Sequence, residues 1–214
     1  METIILNGSP RGNNGNSEIF IRQFLKGMRT HCDVKYMNKE NPEELASHVK
    51  KYDTIIMVLP LYIHSMPGMV MRFIEHLEPS AVHSKQAIGF ILQCGFTESS
   101  QCKYVERYFS CLAKELNRTY LGTVIKGEAA GVYMLPKFMT KKLFTLLNQL
   151  GEMYDQTHTF DRRVMEKLQQ PYVLTGFTLK FMQFTTKLGA NKIMWHRFLK
   201  KNDAFHKKLD QPFA

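Results

Sequence analysis

A three-layer α/β fold, a parallel sheet with helices on both faces, is what this sequence predicts, and three observations carry it. Short apolar runs alternate with longer amphipathic ones through residues 2–157. The short runs are rich in β-branched and aromatic residues. One of them, Asp53-Thr54-Ile55-Ile56-Met57-Val58-Leu59, is continuously apolar, as expected of a central strand buried on both faces.

The elements follow in order. Thr3-Ile4-Ile5-Leu6 marks a first strand, 2–7, closed by a Gly/Asn/Ser cluster, and an amphipathic segment starting near Glu18 predicts a helix over 17–30. A second strand is expected over 33–38. Asn41-Pro42-Glu43-Glu44 then opens a helix over 43–52, with proline and early acids where a helix start favours them. The third strand, 54–59, stops at Pro60, and Pro67-Gly68 begins a helix over 67–77. Strands over 86–93 and 119–126 and helices over 101–117 and 138–157 complete the alternation. Such a pattern implies parallel strands joined by right-handed crossovers. No repeat or low-complexity tract occurs.

The segment most informative about function is Asn7-Gly8-Ser9-Pro10-Arg11-Gly12-Asn13-Asn14-Gly15-Asn16-Ser17. A strand, a tight loop and a helix put free backbone N–H groups and the positive end of a helix dipole at one point, which favours a phosphate. The hydroxyls of Ser9 and Ser17 add donors, and Arg11 adds a planar charged fork for phosphate oxygens. Three familiar phosphate loops fail on spacing. A Walker loop needs Gly-Lys-Ser/Thr, and the first lysine is Lys26. The dinucleotide fingerprint G-x-G-x-x-G does not fit glycines at 8, 12 and 15, nor Met37-Asn38-Lys39 in place of an acid. A phosphatase loop with Arg six residues after Cys is absent, since those positions hold Asn38, Ser100, Tyr108 and Asn117. Taken alone, the loop is equally compatible with a plain surface turn.

A second segment separates the two readings. The third strand runs into Pro60-Leu61-Tyr62-Ile63-His64-Ser65-Met66-Pro67-Gly68. Ligands of open α/β sheets bind at the carboxyl ends of strands near the reversal of strand order. In the order 2-1-3-4-5 the loops after strands one and three flank that point. Leu61-Tyr62-Ile63 can lay backbone amides and an aromatic edge beside a flat ring.

With both segments in hand, the chain resembles the NAD(P)H-dependent FMN reductase and flavodoxin-like oxidoreductase family over about residues 2–135. The resemblance rests on Asn-Gly-Ser-Pro-Arg followed by Asn-Ser, then Pro-Leu-Tyr, Met-Pro-Gly and Phe-Ile some fifty residues later. It extends to the flavin domain of iron–sulfur flavoproteins, without their Cys cluster, since no cysteine falls in residues 40–60. Relatives often carry a lysine after Met-Pro-Gly, where this chain has Met69-Val70-Met71-Arg72. The resemblance implies a flavodoxin-like sandwich on a five-stranded sheet in the order 2-1-3-4-5, with a helical C-terminal extension. It implies FMN as cofactor and NADH or NADPH as co-substrate. Ser9, Arg11, Asn14, Asn16 and Ser17 would hold the phosphate, Pro60, Leu61, Tyr62 and Ile63 would border the ring, and Cys94, Gly95 and Phe96, in the loop from Gln93 to Thr97, would close the other side. No side chain is assigned a catalytic role, because the flavin carries the chemistry. Hydride would pass from NAD(P)H to FMN, and electrons then to a quinone, nitro or azo compound, flavin or similar acceptor, in ping-pong order. An electron carrier without nicotinamide activity and a non-catalytic flavin-binding module are the alternatives. Carriers of that type are usually acidic, unlike this chain.

The formal net charge of +10 is concentrated in Lys137–Lys142 and in the last stretch from Lys180 to Lys208. It suits anionic nucleotides, acidic substrates, nucleic acid or anionic lipid, and no nucleic-acid recognition motif accompanies it. Residues 1–172 are expected to form the FMN-binding domain. A polar helix begins near Phe160-Asp161 and is broken by Pro171, and residues 173–214 form a basic, aromatic helical extension. The extension is read as packing on the core or on a dimer partner, with membrane-surface contact the competing reading. A homodimer is expected by resemblance. Met1–Leu6 does not read as a signal peptide, and no apolar stretch reaches the roughly 18 residues of a spanning helix. Four scattered cysteines without a C-x-x-C pair point to the cytoplasm.

Other candidates take plain readings. Met66, Met69 and Met71 are expected to pack on the third helix, and Cys94 as a small buried hydrophobe. Cys102 and Cys111 show no evident partner, and His64 reads as a solvated loop residue. His76, His83, His158, His196 and His206 lack metal-ligand spacing.

Overall fold

The computed structural model describes residues 1–81 and 84–210. His83 and the last four residues of the extension lie outside the described residues. Five strands, β1 (Thr3–Asn7), β2 (Asp33–Tyr36), β3 (Thr54–Pro60), β4 (Ala87–Gln93) and β5 (Thr119–Lys126), form one parallel sheet in the order β2-β1-β3-β4-β5. The fold is the expected flavodoxin-like sandwich.

Side-chain alternation divides the strands between two cores. Ile4, Leu6, Ile55, Met57, Leu59, Ile88, Phe90 and Leu92 face one side of the sheet, covered by α2 (Pro42–His48), α3 (Gly68–Glu75) and α4 (Lys103–Glu115). Ile5, Ile56, Val58, Ile91 and Val124 face the other, covered by α1 (Asn16–Gly27), α5 (Lys137–Thr157) and α6 (Arg162–Leu168). The uninterrupted apolar run of β3 has its cause here, since both of its faces are buried. Asn41 caps α2 by accepting from the Glu43 and Glu44 amides, and Asp161 caps α6 through Val164.

Two elements differ from expectation. β2 ends at Tyr36, because Met37–Lys39 form a 3-10 turn that drops Met37 into the core. The helix expected over 43–52 gives way at His48 to a 3-10 turn, Val49–Lys51.

The chain divides into two compact units, Met1–Val173 and Leu174–Ala214. Within the second, α7 (Gly176–Lys187) and α8 (Ala190–Lys201) touch each other and meet at Leu188-Gly189. Within the extension expected to be helical, α8 ends at Lys201 and turns follow through 209. No helix among the described residues is long and apolar enough to cross a membrane.

Candidate functional site

Strand register brings four loops together. Asn7 lies beside Val58, Pro60 beside Gln93, and Gln93 beside Lys126, so the carboxyl ends of β1, β3, β4 and β5 are neighbours. β1 and β3 adjoin at the point where strand order reverses. A cleft of about 630 Å³ opens there, within the usual range for a cofactor site.

The first wall is the loop of residues 8–15. Asn7 holds it from below: its Oδ1 accepts from the Ser9 amide at 3.0 Å and its Nδ2 donates to the Gly12 carbonyl at 3.3 Å. Gly12 has φ +52°, a left-handed conformation that calls for glycine. No side chain caps α1, which leaves its first amides pointing out of the helix end. Glu18, the acid of that first turn, is turned inward and held by Arg22 at 2.7 Å and the Tyr36 hydroxyl at 3.0 Å. Ser9, Arg11 and Asn16 line the cleft, and the Arg11 guanidinium lies 5.5 Å from the centre of the Tyr133 ring.

Asn16 also ties this wall to the loop after β5. Its Nδ2 donates to the carbonyls of Ala129 at 2.6 Å and Ala130 at 3.2 Å, while its Oδ1 is buried without a partner in the protein. Such an acceptor asks for a donor from a bound molecule.

Pro60, Leu61, Tyr62 and Ile63 make the second wall. Tyr62 and Ser65 exchange backbone bonds of 2.8 and 3.0 Å across a tight turn whose central residues, Ile63 and His64, both have positive φ. The turn exposes Ile63 and lays the His64 ring on Phe96, with centroids 5.1 Å apart and planes 10° apart. His64 is therefore one half of a stacked pair at the mouth of the cleft.

Gln93, Cys94, Gly95 and Phe96 form the third wall. The Cys94 amide donates to Lys126, and the Ala129 and Glu128 amides donate to Cys94 and Phe96, joining this loop to its neighbour. The amides of Leu61 and Tyr62 are already used, by Gln93 and Ser65. Among the described backbone hydrogen bonds, those of Gly95 and Phe96 have no carbonyl partner, so this wall offers the spare donors. The Cys94 thiol donates to the Phe96 carbonyl at 3.7 Å; interaction with the neighbouring Cys102 thiol pulls Cys94 below its ordinary range and, with burial, pushes Cys102 far above it.

Ten of the twelve expected residues thus surround one cleft. Asn14 and Ser17 do not line it. Asn14 is exposed on the outer side of the loop, and Ser17 is buried with its Oγ accepting from Gln93 Nε2 at 3.0 Å. Ala130 lines the cleft without having been expected to, and a lone alanine beyond the fifth strand carries no chemical signature. Of the methionines, Met66 is buried and Met69 packs on the core, whereas Met71 is exposed on the outer face of α3. Among the described residues no cluster of His, Cys, Asp or Glu could hold a metal ion.

Residues 1–129 match the protein family described as NADPH-dependent FMN reductase. The chain belongs to this family. It is accordingly an oxidoreductase that uses FMN, with NAD(P)H as the co-substrate that fits the family and small molecules as acceptors. No curated protein sequence matches it significantly.

Solved structures share the fold. An FMN-dependent NADH-azoreductase from Bacillus anthracis, in complex with FMN, superposes with a TM-score of 0.57 at 12% identity, over 72% of this chain and all (100%) of that one. General stress protein 14 from Treponema denticola, also in complex with FMN, gives 0.54 at 13%, over 73% and 98%. An NADPH-quinone reductase from P. pentosaceus gives 0.52 at 17%, over 70% and 96%.

The residues present fit FMN. An uncapped helix start, the Ser9 hydroxyl and Arg11 answer a phosphate, the orphaned Asn16 Oδ1 answers a hydroxyl, and Pro60, Leu61, Tyr62 and Phe96 answer a flat ring.

Proposed function

We propose that FMN occupies this cleft, with its phosphate at residues 9–17 and its ring between residues 60–63 and 93–96. The protein then works as an NAD(P)H-dependent oxidoreductase with ping-pong kinetics. The observation that carries the reading is the convergence of these loops on one cleft at the point where strand order reverses.

Bound flavin supplies the redox chemistry, accepting hydride from the nicotinamide and passing electrons to a quinone, nitro or azo compound, or free flavin. The protein's part is positional and electrostatic. Arg11 and the α1 amides fix the phosphate end. Asn16, by clamping the Ala129 and Ala130 carbonyls, holds the floor in place. The spare Gly95 and Phe96 amides would be the donors available to negative charge on a reduced ring held in the cleft, a contribution of about 2–4 kcal/mol for one well-placed donor. The His64–Phe96 stack borders the opening through which substrates reach the ring. A homodimer is part of the reading by family resemblance, and four unpaired cysteines suit a reducing compartment such as the cytoplasm.

Purified protein should be yellow, and anaerobic NAD(P)H should bleach it. Initial rates at varied acceptor should give parallel double-reciprocal lines. Arg11→Ala should weaken FMN binding about tenfold, as expected for one lost charge-assisted hydrogen bond. A colourless protein that ignores added FMN would overturn the cofactor placement, and intersecting lines would overturn the ping-pong order.

A further inference from the structure

We infer that residues 174–210 are a docking surface for anionic membrane lipid, with α7 lying in the plane of the headgroups. α7 buries none of its residues. Phe177, Phe181, Phe184 and Leu188 are 82%, 54%, 60% and 71% exposed. At 3.6 residues per turn these four fall within a stripe about 60° wide. The Phe177 and Phe181 rings stack along it, with centroids 6.1 Å apart. Lys180 and Lys187 fall together on one flank of the stripe, at the spacing from which lysine stems reach headgroups while the rings sit lower. On α8, Ile193 and Trp195 are each 62% exposed.

Charge decides among the occupants of such a face. Residues 174–210 hold eight lysines and arginines against two aspartates, more than half of the chain's formal +10. A second copy of the chain would cover the rings but bring like charges together. Nucleic acid would answer the lysines but leave the rings in water. An anionic bilayer surface answers both, since an amphipathic basic helix binds there by apolar burial plus attraction to lipid charge. Docking of this kind is reversible and weakened by salt.

The test uses the FMN-loaded 214-residue chain with vesicles of phosphatidylglycerol and phosphatidylcholine, and with phosphatidylcholine alone. Trp195 is the chain's one tryptophan, so its emission reports on this surface. Sedimentation with the anionic vesicles is expected, together with a blue shift of Trp195 emission, quenching by brominated acyl chains, and release in high salt. Lys180→Gln with Lys187→Gln should weaken partitioning about thirtyfold, at the usual worth of two lysines beside an anionic surface. Phe181→Ser with Phe184→Ser should weaken it at least tenfold. Unchanged helical content by far-ultraviolet circular dichroism would show that the variants remain folded. The inference is overturned if anionic vesicles leave Trp195 emission unchanged, or if the Phe variant binds as well as the parent. It is equally overturned if light scattering shows a dimer that the Phe variant dissociates and that vesicles do not compete with.

Discussion

Asp33 opens β2 at the edge of the sheet, half-exposed, with its carboxylate 2.5 Å from the Tyr52 hydroxyl. That hydrogen bond, aided by His31 and Lys51, holds the carboxyl below the usual carboxylate range, while burial and the same contact push Tyr52 up to about 12. The sign for stability follows. A carboxyl that ionises more readily when folded stabilises the fold above its unfolded value, about 3.9, and that contribution is lost as pH falls through the folded value. Tyr52→Phe removes the donor. The Asp33 titration, followed by carboxyl NMR, should move up towards the ordinary range, and the variant should lose less of its melting temperature between pH 6 and pH 3 than the parent. Identical titrations would assign the shift to the neighbouring cations. At the same scale, Asn16 was readable from the sequence as a polar residue opening a helix behind a glycine loop. Its bond to a carbonyl 113 residues away was not, because nothing local encodes that distance.

Helices α1 and α5 cross with their backbones in contact. A Cβ on Gly27 would lie 1.9 Å from the Asn148 carbonyl oxygen, and one on Gly151 1.9 Å from that of Phe24. Propensity alone would make Gly151→Ala favourable by about 1 kcal/mol in a helix interior. The obstructing atoms are main chain and cannot rotate away, so overpacking wins at roughly 3 kcal/mol. Gly151→Ala should therefore lower the melting temperature by about 6–12 °C, at the scaling usual for a unit of this size. Gly131→Ala, with nothing within 4 Å of its Cβ, is the control that should change little. Neither glycine announced this crossing in the sequence, where a single glycine inside a helical pattern reads only as a weakness. The strands and the phosphate-type loop were legible for the opposite reason. Continuous apolar runs and Gly/Asn/Ser clusters act on the local backbone, and local backbone is what a sequence states directly. The shortening of β2 was hidden because Met37 suits a strand by type, and only the core beneath it draws that residue into a turn.

On the scale of the whole molecule, the cleft joins loops from four strands that are far apart in the chain and held together only by the folded sheet. An unfolded chain has no such cleft, so a molecule bound in it stabilises the native state by mass action. At a hundredfold excess over the dissociation constant the gain is about 2.7 kcal/mol. For a unit the size of Met1–Val173 this corresponds to a rise of roughly 5–10 °C in melting temperature. Stripping FMN from the purified protein should lower the transition by that amount, and titrating it back should restore the transition with a logarithmic dependence on concentration. Arg11→Ala should need about ten times more FMN for the same rise, because its effect lies in affinity and not in the apo fold, where Arg11 is exposed. The phenylalanine and lysine variants of α7 should follow the parent curve throughout, since the residues lining the cleft all belong to Met1–Val173. Should Arg11→Ala instead melt lower without FMN and respond to it normally, the loop would be a structural brace, and the phosphate would have to be held elsewhere.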